Sequence, residues 1–246
     1  MRIAVLSDIH ANREAFEAVL EAVRELAPDR IVLLGDIVGY GPDPEFCVEK
    51  TAELVDRGAL CLLGNHDEAI ATGGAGMTPN ARTAIEWTRE RLAPAHRSFL
   101  AGLPLSVEVE SLLFVHASAD GPAKWHYVKD TDGASRCLAA TGAPTVFCGH
   151  THVPAIFYAL PNRRPVHFRP LDNVAAPLSA LRRHVVVAGA VGQPRDGNPA
   201  ACFALVDTDA ATVTMLRTPY DHDATAGKIA AKGLPAWLGM RLKIGR

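Results

Sequence analysis

Ile3-Ala-Val-Leu-Ser-Asp-Ile-His10 is an apolar run that ends in an acid and an imidazole two positions apart. The run offers no polar position to water, so it predicts a strand covered on both faces, as in layered α/β structures. The arrangement recurs four times. Ile31–Leu34 is followed by Gly35-Asp36, Ala59–Leu63 by Gly64-Asn65-His66-Asp67, Leu112–Val115 by His116, and Val146–Cys148 by Gly149-His150-Thr151-His152. Each segment places an acid, amide or imidazole at the carboxyl end of a predicted strand, the edge at which α/β sheets bind ligands. These short segments hold five of the ten histidines of the chain, which even scattering does not predict.

The residue types point to metal. On an extended chain residues i and i+2 face the same side, so Asp8 and His10 are expected to grip one ion together, and His150 and His152 likewise. Asp36 has two oxygens with which to bridge, and Asn65 offers a neutral carbonyl oxygen. Mixed imidazole and carboxylate donors suit manganese, iron, zinc, nickel or cobalt rather than calcium. Seven donors are too many for one tetrahedral ion and suit a pair. Two ions about 3.5–4 Å apart can clamp the oxygens of a phosphoryl group in transfer.

The five blocks, in this order over residues 8–152, resemble the calcineurin-like metallophosphoesterase superfamily. Gly39-Tyr-Gly-Pro-Asp43 and Gly192-Gln-Pro-Arg-Asp-Gly197 are similar to a prokaryotic branch of small phosphoesterases and phosphodiesterases. The resemblance implies a four-layer α/β/β/α sandwich, with the late strands supplying much of the second sheet. It also implies two divalent transition-metal ions, manganese first among the candidates. Asp8, His10 and His152 would hold one ion, Asn65, His116 and His150 the other, and Asp36 would bridge them. A hydroxide bridging the metals would attack phosphorus, while His66 faces the substrate and assists the leaving oxygen. An unperturbed imidazole exchanges protons near neutrality, which suits that task.

The sequence departs from the protein-phosphatase and dinucleoside-tetraphosphatase branches of the superfamily. Gly39 stands where an acid would orient the catalytic histidine, and Tyr40 and Leu63 stand where arginines would grip phosphate. Asp67 is the alternative partner for His66. With fewer cationic grips a diester substrate is favoured, with a monoester or a serine/threonine-type phosphoprotein as the alternatives. Asn12 suits either a helix cap or a phosphate contact, and Arg195 either solvent or substrate. A binding module without turnover is the reading from another class, and the intact ligand set argues against it.

Around these motifs the chain reads as one domain over 1–246. Phe16, Val19, Leu20, Val23 and Leu26 recur at helical spacing, and Asp43-Pro44 and Thr78-Pro79 open further helices. Cys202–Val206 and Val213–Leu216 read as a hairpin about Asp207-Thr-Asp209, and Leu160–Pro165 as a polar turn between extended arms. Gly73-Gly-Ala-Gly76 suggests a lid. Residues 219–246 read as a tail with one weak helix near Thr225–Lys232 and a frayed cationic end.

The 246 residues are 48% hydrophobic and 21% charged, which excludes a disordered or fibrous chain. A net charge of −2 provides no global field for nucleic acid, and stable nucleic-acid binding is not expected. Five cysteines without a CxxC spacing read as reduced, buried thiols. With no long apolar run and no signal-like N-terminus, neither a membrane span nor export is expected, so the expectation is a cytoplasmic enzyme of a small phosphoester. Oligomeric state is left open.

Overall fold

The computed structural model describes all of residues 1–246. In chain order the elements are β1 (Arg2–Leu6), α1 (Arg13–Leu26), β2 (Arg30–Leu33), α2 (Pro44–Asp56), β3 (Leu60–Cys61), α3 (Asn65–Thr72), α4 (Pro79–Arg91), α5 (Pro94–Ala101), β4 (Ser106–Val109) and β5 (Leu112–Val115). There follow α6 (Thr131–Ala139), β6 (Thr145–Cys148), β7 (Ala155–Ala159), β8 (Val166–Phe168), β9 (Ala175–Pro177), β10 (Arg183–Val187), β11 (Ala201–Asp207), β12 (Thr212–Thr218), α7 (His222–Ala231) and α8 (Ala236–Ile244).

Two six-stranded sheets form, in the orders β3-β2-β1-β11-β12-β9 and β4-β5-β6-β10-β7-β8. The runs β1-β2-β3 and β5-β6-β10 are parallel, and the other pairs are antiparallel. The unbroken apolarity of the strands follows from the layering. Ile3 and Val5 of β1 face the second sheet, joining Phe114, Phe147 and Val186, while Ala4 and Leu6 face the helices with Phe16, Val19 and Val23. Beyond the second sheet, Val115, Val146 and Val187 pack against Ala134, Cys137 and Leu138 of α6. Helices, sheet, sheet and helix make the four-layer α/β/β/α sandwich. Burying both faces of the central strands excludes water from the interior, the main favourable contribution to folding.

The late strands β7, β8 and β10 supply half of the second sheet, as expected, whereas β11 pairs antiparallel with β1 (Arg2 opposite Asp207) and carries β12 and β9 into the first. Two expectations need correction. Residues 219–246 are not a weak helix and a frayed end. They form two helices whose Ile229, Leu234, Leu238 and Leu242 are buried with Ala84 of α4. Asp43 does occupy the N-cap of α2, but its carboxylate makes no cap bond; it accepts from Lys228 Nζ at 2.9 Å and Lys232 Nζ at 3.1 Å instead. Short α3, α5 and α6 and strand β4 carry periodicity too brief to stand out before packing. All five cysteines are buried and unpaired, and no helix is long and apolar enough to cross a membrane.

Candidate metal centre and active site

The carboxyl ends of β1, β2 and β3 in one sheet and of β5 and β6 in the other meet at a single place. There the structure brings together all seven expected ligands. Asp8, His10 and His152 form one cluster and Asp36, His116 and His150 a second, the donor atoms of each lying within 4.8 Å of one another. Asp36 Oδ2 stands between them, 3.6 Å from His10 Nε2 and 3.4 Å from His116 Nε2. Its Oδ1 accepts from the His66 backbone N–H at 2.8 Å, so one oxygen fixes the side chain and the other is left to bridge. Asn65 Oδ1 lies 3.2 Å from His116 Nε2, on the side of the second cluster.

Asp8 and His10 lie in one cluster as expected, but His150 and His152 lie in different ones, because their turn is not extended. Asp8, His10, Asp36, His150 and His152 have φ of 55°, 50°, 53°, 64° and 61°, all left-handed. Such backbone costs about 1–3 kcal/mol per residue and gathers at functional sites, and Asp and His are among the types that tolerate it best. The turns aim His150 at His116 and His152 at Asp8, Nε2 to Oδ1 being 3.3 Å. They also force close approach of main chains. A Cβ on Gly149 would lie 1.8 Å from Ser7 Oγ, and one on Gly192 would lie 1.8 Å from the Ile9 carbonyl oxygen. The second neighbour is backbone and cannot swing away. Gly192→Ala is therefore expected to destabilise the fold by about 3 kcal/mol or more, read as a fall in denaturant midpoint at unchanged slope.

Backbone carbonyls orient the imidazoles. His10 Nδ1 donates to Val38 O at 3.1 Å, His116 Nδ1 to Leu34 O at 3.0 Å, and His152 Nδ1 to Gln193 O at 2.7 Å. A carbonyl only accepts, so in each ring Nδ1 carries the proton and Nε2 presents its second position to the centre. His10 Nε2 and His152 Nε2 then face each other at 3.1 Å. Burial holds both imidazoles below their ordinary range, so two lone pairs are opposed, a conflict that a cation removes. Asp8 Oδ1 is buried with no hydrogen-bond partner, while its Oδ2 accepts from Ser7 Oγ and the His150 backbone N–H. These unmet donors fit two divalent cations, each held by nitrogen and oxygen.

Charge is divided unevenly in the ion-free centre. Burial opposes ionisation of Asp8 and Asp36, but the charged His116 near both holds their carboxyls below the usual range. Burial pushes His150 down to about 3. His116 goes the other way: burial opposes its charge, yet Asp36 raises it to about 9.

His66 lies beside the shared oxygen, its ring 4.8 Å from His10 and 4.4 Å from Tyr40. Its Nδ1 is buried, unpartnered and close against Gly39, where a Cβ would come within 2.3 Å. Burial lowers His66 to about 4, so it is neutral at pH 7, unlike the near-neutral group expected from the sequence. Asp67 does not orient it. The Asp67 carboxylate accepts from the backbone N–H groups of Ile37, Val38 and Gly64, tying the β2 and β3 loops together. Asn12 is a cap: Oδ1 accepts from Ala15 N–H at 3.1 Å, Nδ2 donates to Gly192 O at 2.7 Å, and the residue is buried. Arg195 is at the centre, its guanidinium 5.6 Å from the Tyr40 ring and bonded to Gln193 Oε1, its backbone N–H donating to His152 O.

A cleft of about 330 Å³ opens on the His66 and His150 side. Its walls include Tyr40, Glu68, Trp125, Tyr127 and the 74–78 loop. Sequence reasoning missed the two aromatics of the 117–135 segment. Tyr127 stacks on His150 at 4.0 Å, and Trp125 meets His116 edge-on while its Nε1 donates to Glu68 at 2.9 Å. Only the pairing of an aromatic with a ligand imidazole marks them, and that exists in space alone.

Residues 1–211 match the calcineurin-like phosphoesterase superfamily domain. An uncharacterised protein of Methanocaldococcus jannaschii is 33% identical over 99% of this chain and 98% of its own. The phosphodiesterase YfcE of Escherichia coli is 24% identical over 88% of this chain and 92% of its own. A metallophosphoesterase of Sphaerobacter thermophilus, known from its crystal structure, superposes with a TM-score of 0.88 at 37% identity, covering 100% of this chain and 99% of that one. The match across the domain and the two-lobed donor cluster agree: the chain belongs to the calcineurin-like phosphoesterase superfamily and is a metallophosphoesterase, a hydrolase of phosphoester bonds.

Proposed function

We propose that the protein hydrolyses phosphodiesters at a dinuclear centre in which Asp8, His10 and His152 hold one divalent ion, Asn65, His116 and His150 the other, and Asp36 both. The observation that carries the reading is Asp36 Oδ2, one buried oxygen within 3.6 Å of an imidazole nitrogen from each cluster. Manganese is the ion proposed first, and the cytoplasm the location. Bound there, the pair would supply Lewis acidity toward the phosphoryl oxygens and a nucleophilic water at neutral pH.

The residues of the chain do the rest. His66 is neutral at pH 7 and serves the departing ester oxygen by an N–H hydrogen bond. Arg195 keeps donors free beyond those given to Gln193 and meets a non-bridging phosphoryl oxygen. Tyr40, Trp125 and Tyr127 shape the cleft for the leaving arm and limit water there. Asn12 is committed to its cap and takes no part.

Preference for a diester rests on charge. Tyr40 and Leu63 supply no guanidinium, so the phosphoryl group meets Arg195 where the resembled phosphatases would offer more. A monoanionic diester needs less compensation than a dianionic monoester. The activity named for the E. coli relative is in line with this. With Mn²⁺, kcat/KM for bis(p-nitrophenyl) phosphate is expected to exceed that for p-nitrophenyl phosphate several-fold. The reverse order would overturn the diester reading in favour of a monoesterase or a phosphoprotein phosphatase.

A further inference from the structure

His10, His116 and His152 are each fixed through Nδ1 by a backbone carbonyl, so their Nε2 atoms face the centre. His150 is built differently. Its Nδ1 is the atom that faces the centre, 3.2 Å from His116 Nε2, and is not given to a carbonyl. The His150 main chain is tied, its N–H donating to Asp8 Oδ2 at 3.0 Å, but a backbone bond does not set the rotation of a histidine ring, whose outer torsion is soft. What lies flat on that ring is Tyr127, with 4.0 Å between centroids and 21° between planes.

Tyr127 is itself held. Lys129 Nζ stands 3.9 Å from the centre of its ring. Two groups this close cannot share one face, so the phenol is sandwiched between the ammonium and the imidazole. Next to it, Val128 is buried in the same cluster as Ala134 and Leu138 of α6, and Asp130 caps that helix through the Gly133 N–H at 2.8 Å. On the other side Trp125 has φ of 54°, a left-handed backbone that a bulky side chain rarely adopts, and its Nε1 donates to Glu68 Oε2 at 2.9 Å. Such strain persists only where the surroundings enforce it. Trp125 stands edge-on to His116 at 5.7 Å, so one short strap, residues 125–127, lays an aromatic against each imidazole of the second cluster.

An imidazole that gives its lone pair to a cation becomes electron-poor, whereas the face of a phenol is electron-rich, so the stack favours the ligating state of the ring. We infer that Tyr127 is a positioning residue for His150: by stacking, it holds the ring with Nδ1 toward His116 and Asp36, the task that backbone carbonyls perform for the other three imidazoles. The inference rests on the dinuclear reading of the site and not on the preference for diesters.

The test is calorimetric titration of the metal-free full chain with Mn²⁺. Wild type should bind two ions. Tyr127→Leu should weaken one of them about tenfold or more and leave the other within about twofold, since the outer partners of metal ligands commonly contribute 10–100-fold to affinity. Tyr127→Phe keeps the stacked ring and should leave both ions within about twofold of wild type, on the same basis. In a His150→Ala background Tyr127→Leu should add no further loss, because the group through which it acts is gone. Tyr127 is 44% exposed, so its removal opens no cavity in the core. In hydrolysis, the deficit of Tyr127→Leu should lie in kcat at limiting Mn²⁺ and be recovered at saturating Mn²⁺. Wild-type affinity for both ions in Tyr127→Leu, an equal loss in Tyr127→Phe, or a loss that persists without His150 would overturn the inference, as would a wild type that binds fewer than two ions. A KM defect that saturating Mn²⁺ does not correct would also overturn it, making Tyr127 a substrate contact instead. Failure of the two-ion protein to hydrolyse any phosphodiester would remove the proposed activity, and the titrations would still decide the role of Tyr127.

Discussion

Replacing Asp36 with Ala is expected to lower metal-dependent diester hydrolysis by more than about 100-fold, because substituting even the outer partners of metal ligands commonly costs 10–100-fold. Asp36 Oδ2 faces His10 and His116 at once, so its loss opens both clusters. Its Oδ1 also holds the His66 backbone, so the group facing the leaving oxygen loses its anchor. Asp36→Asn separates these roles. It keeps an acceptor for the His66 N–H and removes the charge that a bridge between cations needs, so it should be nearly as inactive as Asp36→Ala while staying better folded. Elemental analysis should find less than two ions per chain in both. Full metal content with more than a tenth of wild-type activity in either variant would remove Asp36 from the bridge.

The affinity of the metal-free protein for Mn²⁺ should rise about tenfold per pH unit from pH 7.0 to 8.5, roughly 30-fold in all. The cause is one proton. Burial opposes it, but Asp36 keeps His116 protonated up to about pH 9. The other ligands are already competent at pH 7: Asp8 and Asp36 are ionised, and His10, His150 and His152 are neutral. An ion must therefore displace the His116 proton, and raising the pH toward 9 removes that competition. The same proton stabilises the metal-free fold. The folded value is raised above 6.5, so this contribution is complete below pH 6.5 and is lost as the pH climbs through about 9. The Tm of metal-free protein should fall over that window, and the Tm of Mn²⁺-loaded protein should not. Titrations showing pH-independent affinity would place no proton on the centre.

Much of the site was legible because the chemistry is local. A strand ending in Asp8 and His10, or in His150 and His152, is a statement about adjacent residues, and strand ends in layered α/β folds face one edge. The two-residue spacing nonetheless misled about which imidazoles lie together, for His150 and His152 fall in different clusters. Partner choice depends on the left-handed φ of five ligand residues, and that is imposed by the packing of loops on one another at Gly149 and Gly192. The ionisation of His66 was equally hidden, since burial among like-charged neighbours sets it and no residue type reports it.

By itself the sequence determined the apolar segments of β1, β2, β3, β5, β6, β10, β11 and β12, the candidate donors that follow five of them and the resemblance to the superfamily, all of which follow from residue type and short-range order. Tertiary structure alone decided that β11 and β12 extend the first sheet, that Asp67 ties two loops instead of holding His66, and that the C-terminal helices bury Ile229, Leu238 and Leu242 against α4. Those outcomes join residues 30 to 200 positions apart, and their energy comes from contacts that exist only once the two sheets and the C-terminal helices have packed.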